Sequence, residues 1–282
     1  MTHQNILLAT DLSESSSKMV LHIGPLIKQL DGQLSLIHVV KSYFSHWISS
    51  REIERVAQQR LEHFIDKLKE DGTKTGSVYV EVGNVAERVL FMADSLNIDM
   101  IIIGAEDKSK LKKIVFGASA EAIVRHARQN VWIHKTESFK GIHKIICGVD
   151  FSPSSKQALS KALSMAKTFS AELIVLHVIH DPNFEAIGVP VKIEEEKLEA
   201  YKKQKAEELE IFVQEFDTDN VNIEKYVLWG GPSHEILDYA EDENVDLIVL
   251  GDKGNDHLKR IVLGGTAERV MRAAPCSMLV CR

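Results

Sequence analysis

The chain reads itself twice, and this duplication constrains its fold more than any other feature. His3–Val40 aligns without a gap on Ile142–Ile179, an offset of 139 residues. Ile6 thereby meets Ile145, Asp11 meets Asp150, Ser13 meets Ser152 and His38 meets His177. After an eight-residue insertion in the second copy the offset becomes 147, and Gly83 meets Gly230, Asp99 meets Asp246, Gly104 meets Gly251, Gly117 meets Gly264 and Lys135 meets Arg282. A unit of roughly 140 residues can bury a core of its own, and it is far longer than the about 20–50 residues of a solenoid repeat. Two globular domains are expected, over residues 1–137 and 142–282, joined around Thr136–Gly141.

Each copy alternates short runs of branched apolar residues with longer helical patterns. In the first, Asn5–Thr10, Gln33–Val40, Ser77–Val82, Asp99–Gly104 and Val131–Lys135 read as strands. Glu14–Leu30, Ser50–Glu70, Ala86–Leu96 and Ala118–Arg128 read as helices. Near-continuous apolar strands suit a parallel sheet buried on both faces, and strand–helix alternation implies right-handed crossovers. The expected fold class is therefore α/β, with two doubly wound domains. Ligands in such sheets bind beyond the carboxyl ends of the strands, where the winding reverses. The loops after the first and fourth strands are the places to look.

Charge and composition narrow the partners. A formal net charge of −7 argues against nucleic acid and anionic membranes as partners. No apolar run approaches the roughly 20 residues that span a bilayer, and the N-terminus enters a strand pattern without a basic leader. Three cysteines without metal-type spacing suit a reducing compartment, so a cytoplasmic location is expected. Buried thiols of this kind serve as small hydrophobes.

The second copy carries the more legible loop. Its fourth strand ends in Gly251-Asp-Lys-Gly254, runs nine residues and reaches Gly264-Gly265-Thr266-Ala-Glu268. Glycines at a strand end let a backbone approach a ligand closely, and a helix opening at Gly264 presents free amides and a positive dipole end to phosphates. Lys253, His257, Lys259 and Arg260 add charge; an ordinary glycine turn with a solvated basic loop fits the same spacing. Val149 and Asp150 end the first strand of this copy, where a carboxylate can accept hydrogen bonds from a ribose or base. The serines that follow Asp11 and Asp150 read chiefly as helix N-caps, with Pro153 suited to a first helical turn. Capping is also open as the role of the two acids. A local hydrogen bond is the commoner fate of strand-end histidines such as His38 and His177.

Taken together, these motifs resemble a tandem universal stress protein, two domains of that family in series over essentially the whole chain. Nucleotide-binding members of the family carry G-x2-G-x9-G-[Ser/Thr] after the fourth strand, matched in spacing by Gly251, Gly254 and Gly264. They also carry an aspartate ending the first strand, matched by Asp150, and a His-Val-Val-like run whose backbone reads adenine, matched by His177-Val178-Ile179. The resemblance implies five-stranded parallel sheets of order 3-2-1-4-5, related by a pseudo-two-fold axis. It implies ATP or a related adenine nucleotide in the second domain, with or without magnesium, held by Val149, Asp150, Val178, Gly251, Gly254, Gly264, Gly265 and Thr266. Gly265 departs from the family's Ser/Thr, and Thr266 offers a substitute hydroxyl.

In the first copy Asp107 stands where the second glycine belongs and Ala118 removes the hydroxyl, so that site is expected to be impaired or lost. The family pairs single domains through their last strands. The implied tandem is an intramolecular pair of Val131–Lys135 with Ser277–Cys281, with Trp132 in the seam, and a further homodimer is compatible with it. The charged stretch Glu194–Phe216 reads as a solvated helix face. No catalytic or metal-ligating constellation is readable, and no Walker-type lysine follows the glycines. The expected function is a stress-responsive nucleotide binder acting through a protein partner of unknown identity or through self-association. The alternatives are a nucleotide-free interaction module and a slow ATPase or other nucleotide-acting enzyme.

Overall fold

The computed structural model describes residues 4–41, 50–107, 114–115, 117–135, 139–180, 195–254 and 263–282. Lys108–Lys113, the first half of the linker, and His257, Lys259 and Arg260 lie outside them. The first repeat runs β1 (Gln4–Ala9), α1 (Glu14–His22), α2 (Gly24–Gln29), β2 (Gly32–Val40), α3 (Ser50–Glu70), β3 (Thr75–Val82), α4 (Val85–Ser95), β4 (Met100–Gly104), β5 (Glu106–Asp107), β6 (Ile114–Val115), α5 (Ala118–His126) and β7 (Asn130–His134). The second runs β8 (Lys144–Val149), α6 (Pro153–Phe169), β9 (Glu172–His180), α7 (Glu195–Gln214), β10 (Ile223–Gly230), α8 (Pro232–Asp242), β11 (Leu247–Gly251), α9 (Gly265–Ala273) and β12 (Ser277–Cys281).

Two compact units result. The first comprises Met1–Gly141 with Cys276–Val280 and Arg282; the second comprises Ile142–Pro275 with Cys281. In the first unit β1 lies between β2 and β4, both parallel to it, while β3 adds to β2 and β7 to β4, again parallel. In the second, β8 lies between β9 and β11 and β10 adds to β9, all parallel. Helices cover these strands, so Ile6, Leu7 and Leu8 of β1 and Ile145, Ile146 and Cys147 of β8 are fully buried in unbroken runs. All three cysteines are buried and none forms a disulfide, and burial pushes the Cys147 thiol well above its ordinary pKa. No helix among the described residues is long and apolar enough to cross a membrane.

The C-terminal strand departs from the repeat boundary for a physical reason. β12 pairs antiparallel with β7, matching Leu279 with Trp132 and Met278 with Ile133, and so belongs to the first compact unit. Arg282 adds a backbone bond to the Asn130 side chain and a guanidinium bond to the Val124 carbonyl. Trp132 sits inside this unit at 1% exposure, flanked in register by Ile102 of β4 and Leu279 of β12.

Three local features follow from particular residues. The expected single helix Glu14–Leu30 is two helices, because Pro25 in the first turn of α2 has no amide to donate to the preceding turn. Leu163 and Ser164 occupy the Gly24-Pro25 positions in the second copy, and α6 is unbroken over 17 residues. α7 buries Leu209, Phe212 and Val213 on one side, so the charged stretch supplies a core face as well as a solvated one. The repeated acid Asp99/Asp246 ties down the start of the first strand. Asp99 accepts from the Asn5 amide at 2.8 Å, and Asp246 from the His143 and Lys144 amides at 2.7 and 3.1 Å.

Candidate functional site

The loop after β8 is shaped by one left-handed residue. Phe151 has φ +64°, unusual for a bulky side chain, and the same turn recurs at Leu12 with φ +59°. This bend carries the chain into α6, where Ser152 accepts from the Ser155 amide at 3.1 Å as an N-cap; Ser13 caps α1 in the same way. The serines therefore cap, as expected. Asp150 accepts from the Ser152 amide through Oδ1 at 3.1 Å, which fixes the carboxylate at the sheet edge.

The other oxygen of Asp150 faces the glycine loop. A Cβ added to Gly254 would lie 2.9 Å from Asp150 Oδ2, so the loop backbone passes directly over the carboxylate. Gly251 is equally constrained: a Cβ there would meet the Ser154 hydroxyl and lie 2.8 Å from its carbonyl carbon. Gly264 donates its amide to the Asp252 carbonyl at 2.7 Å and packs near the Gly254 amide. α9 starts at Gly265 with Gly264 as its cap, which has no side chain to bond the first amides. Gly265 faces open space, and Thr266 is half-buried in the first turn. Val149 and His177 are register partners, so Val178 is the first β9 residue beyond the end of β8. The structure thus brings Asp150, Gly251, Gly254 and Gly264 into mutual proximity and places Val149, Val178, Gly265 and Thr266 at the same sheet edge.

Two residues without a sequence-level role shape this edge. Asp252 is only 8% exposed; its carboxylate accepts from Ser154 Oγ at 2.8 Å and lies 3.7 Å from the Lys253 ammonium. The Phe151 ring stacks on His177 at 4.4 Å and meets Phe212 edge-on at 5.3 Å, with the Lys205 ammonium 5.7 Å above it.

His38 and His177 each form the expected local bond, Nδ1–H to the carbonyl of Thr10 or Val149 at 2.9 Å. Burial lowers both pKa values more than that bond raises them, and the Lys205 charge lowers His177 further. In the folded state the neutral imidazole is favoured. The unfolded chain takes up its protons first, near pH 6.5, and stability from these residues is lost as pH falls below that value towards the folded pKa. Imidazole NMR should show both residues titrating below about 6.5. Lys205→Ala should move His177 upward and leave His38 in place; an unmoved His177 contradicts the assignment.

The first copy, expected to have an impaired or lost nucleotide site, nonetheless keeps a cavity of about 670 Å³ at the matching place. Asp11, His38, Gly104 and Gly117 all line it. Ser119 lines it too, at the position that Thr266 holds in the second copy, so the substitute hydroxyl noted for one copy exists in both. Aligning Ala118-Ser119 with Gly265-Thr266 would have revealed it. Asp11, Ser13 and Ser15 are exposed here, whereas Asp150 and Ser154 are half-buried and Ser152 is buried. Leu12 stands in place of Phe151.

Comparison with known proteins agrees with the duplication. The profile of the universal stress protein family matches residues 2–135 and again 141–282. A universal stress protein of Methanocaldococcus jannaschii is 35% identical over 138 residues, 49% of this chain and 80% of that protein. One from Mycolicibacterium smegmatis is 22% identical over 295 residues, 100% of this chain and 98% of its own length. Among solved structures, a universal stress protein from Archaeoglobus fulgidus superposes with a TM-score of 0.75 at 23% identity, covering 100% of this chain and 99% of that one, a likeness of fold.

Proposed function

We propose, on the premise that this chain belongs to the universal stress protein family, that its second unit binds an adenine nucleotide and that occupancy controls an interaction with a protein partner or a second copy of the chain. One observation carries the reading: Gly254 passes so close to Asp150 that a Cβ there would press on the carboxylate oxygen, which leaves a backbone cradle between that carboxylate and the start of α9. Such a cradle suits ribose hydroxyls on the acid and phosphate oxygens on the amides. Val178 at the end of β9 is the candidate for adenine contact, and Gly251, Gly264, Gly265 and Thr266 line the phosphate path. Magnesium, where present, would be carried in with the phosphates.

The role is binding rather than turnover. Cytoplasmic action under stress accords with the family and with the reduced cysteines. Calorimetric titration of the full chain with ATP, ADP and AMP should give one site per chain. Two equal sites, or none, contradict the reading.

A further inference from the structure

We propose that the cavity of the first unit is a second ligand site that takes an elongated apolar molecule with one anionic head, and not a nucleoside triphosphate. The two copies would then have diverged in the ligand charge they accept, which goes beyond nucleotide binding by the second unit and does not depend on it.

The wall chemistry is the first argument. Met19, Val39, Val89, Ile103 and Ile123 line the cavity, giving it an apolar body. Two positions differ tellingly between copies. Met19 stands where the second copy has Ala158, and Ala105 stands where it has the buried acid Asp252. The first unit has therefore lost a carboxylate from its floor and gained a flexible apolar side chain that adapts to an irregular ligand.

Length is the second. A groove of about 620 Å³, lined by Leu12, Ile53, Val56 and Ala57, shares Asp11, His38 and Ile53 with the cavity. In the second copy the Phe151 ring packs on His177 and Phe212, whereas Leu12 holds the Phe151 position here. An extended chain can thus leave the cavity along α3, past Val56 at 44% exposure.

Charge is the third. At the opposite end the cavity meets Gly117, which caps the nine-residue helix α5 without a side-chain bond, together with Ser119 and Lys135. Helix-start amides, a hydroxyl and a lysine suit one anionic group. A polyphosphate would have to run along the following loop, where the sequence has Glu106-Asp107 in place of the second copy's Lys253-Gly254.

The test uses the full chain and two probes, anilinonaphthalene sulfonate read by fluorescence and dodecanoate read by displacement of that dye. Saturable binding is expected at one site, persisting with saturating ATP present. Ala120→Trp, which fills the cavity from a half-buried helix position, should weaken both probes at least tenfold. Ser119→Glu should weaken dodecanoate at least tenfold and leave dodecanol displacement unchanged, a charge-specific effect that misfolding would not give. Wild-type affinity in both variants, or stoichiometric displacement of the dye by ATP, overturns the proposal. Failure of ATP to bind anywhere would instead count against the nucleotide reading alone.

Discussion

Trp132→Asp is expected to destabilise the first unit by about 4 kcal/mol or more, enough to leave it largely unfolded. Trp132 is 1% exposed and stands between Ile102 of β4 and Leu279 of β12. Its truncation removes a large apolar body from a close-packed sheet, and the new carboxylate has no partner positioned to receive it. The indole N–H also bonds to Nδ1 of the buried His134 at 3.4 Å, and the substitution removes that bond as well. Denaturant unfolding and limited proteolysis should show early loss of β7 and release of the C-terminal strand. Trp132→Phe should show a much smaller shift. An unchanged unfolding midpoint for Trp132→Asp would mean that the antiparallel β7–β12 pairing is not a core element.

Gly254→Asp is expected to lower nucleotide affinity at least tenfold, about 1.4 kcal/mol or more. The new Cβ would sit 2.9 Å from Asp150 Oδ2, and the carboxylate beyond it would repel both Asp150 and an incoming phosphate. The change imports the acid that the first copy carries at Asp107. Gly254→Ala should give an intermediate loss, because it brings the steric conflict without the charge. Because Gly254 is exposed, neither variant should disturb the core, and unfolding curves should overlay those of the unmodified chain. Undiminished affinity in a folded Gly254→Asp protein would show that this loop does not hold the phosphates.

Much of the architecture was legible because it is written as pattern. β1, β4, β8 and β11 are runs of Ile, Leu and Val buried on both faces, and that continuity marks parallel strands without reference to tertiary structure. Ser13 and Ser152 announced the helix starts, and Asp150 with the three glycines announced the sheet edge. What escaped depends on contacts across the chain. The buried Asp252 is held by the Ser154 hydroxyl, 98 residues away, a contact that no local pattern encodes. Leu12 in the first unit stands in place of Phe151, whose ring meets Phe212 in the second unit only after folding. The β7–β12 pairing is the one the resemblance implied; what spacing alone missed is that it draws Ser277–Val280 into the first compact unit. By contrast, the break at Pro25 was readable and needed only the rule that proline ends a helical hydrogen-bond run.

The most direct measurement is photo-crosslinking of the full chain with an azidoadenine nucleotide, followed by peptide mapping. Label is expected on second-unit peptides around Asp150–Ser152 and Val178, to be competed by ATP and to be lost in Gly254→Asp. Label on first-unit peptides around Asp11 or Val39, with the second unit unlabelled, would contradict the assignment of the nucleotide site.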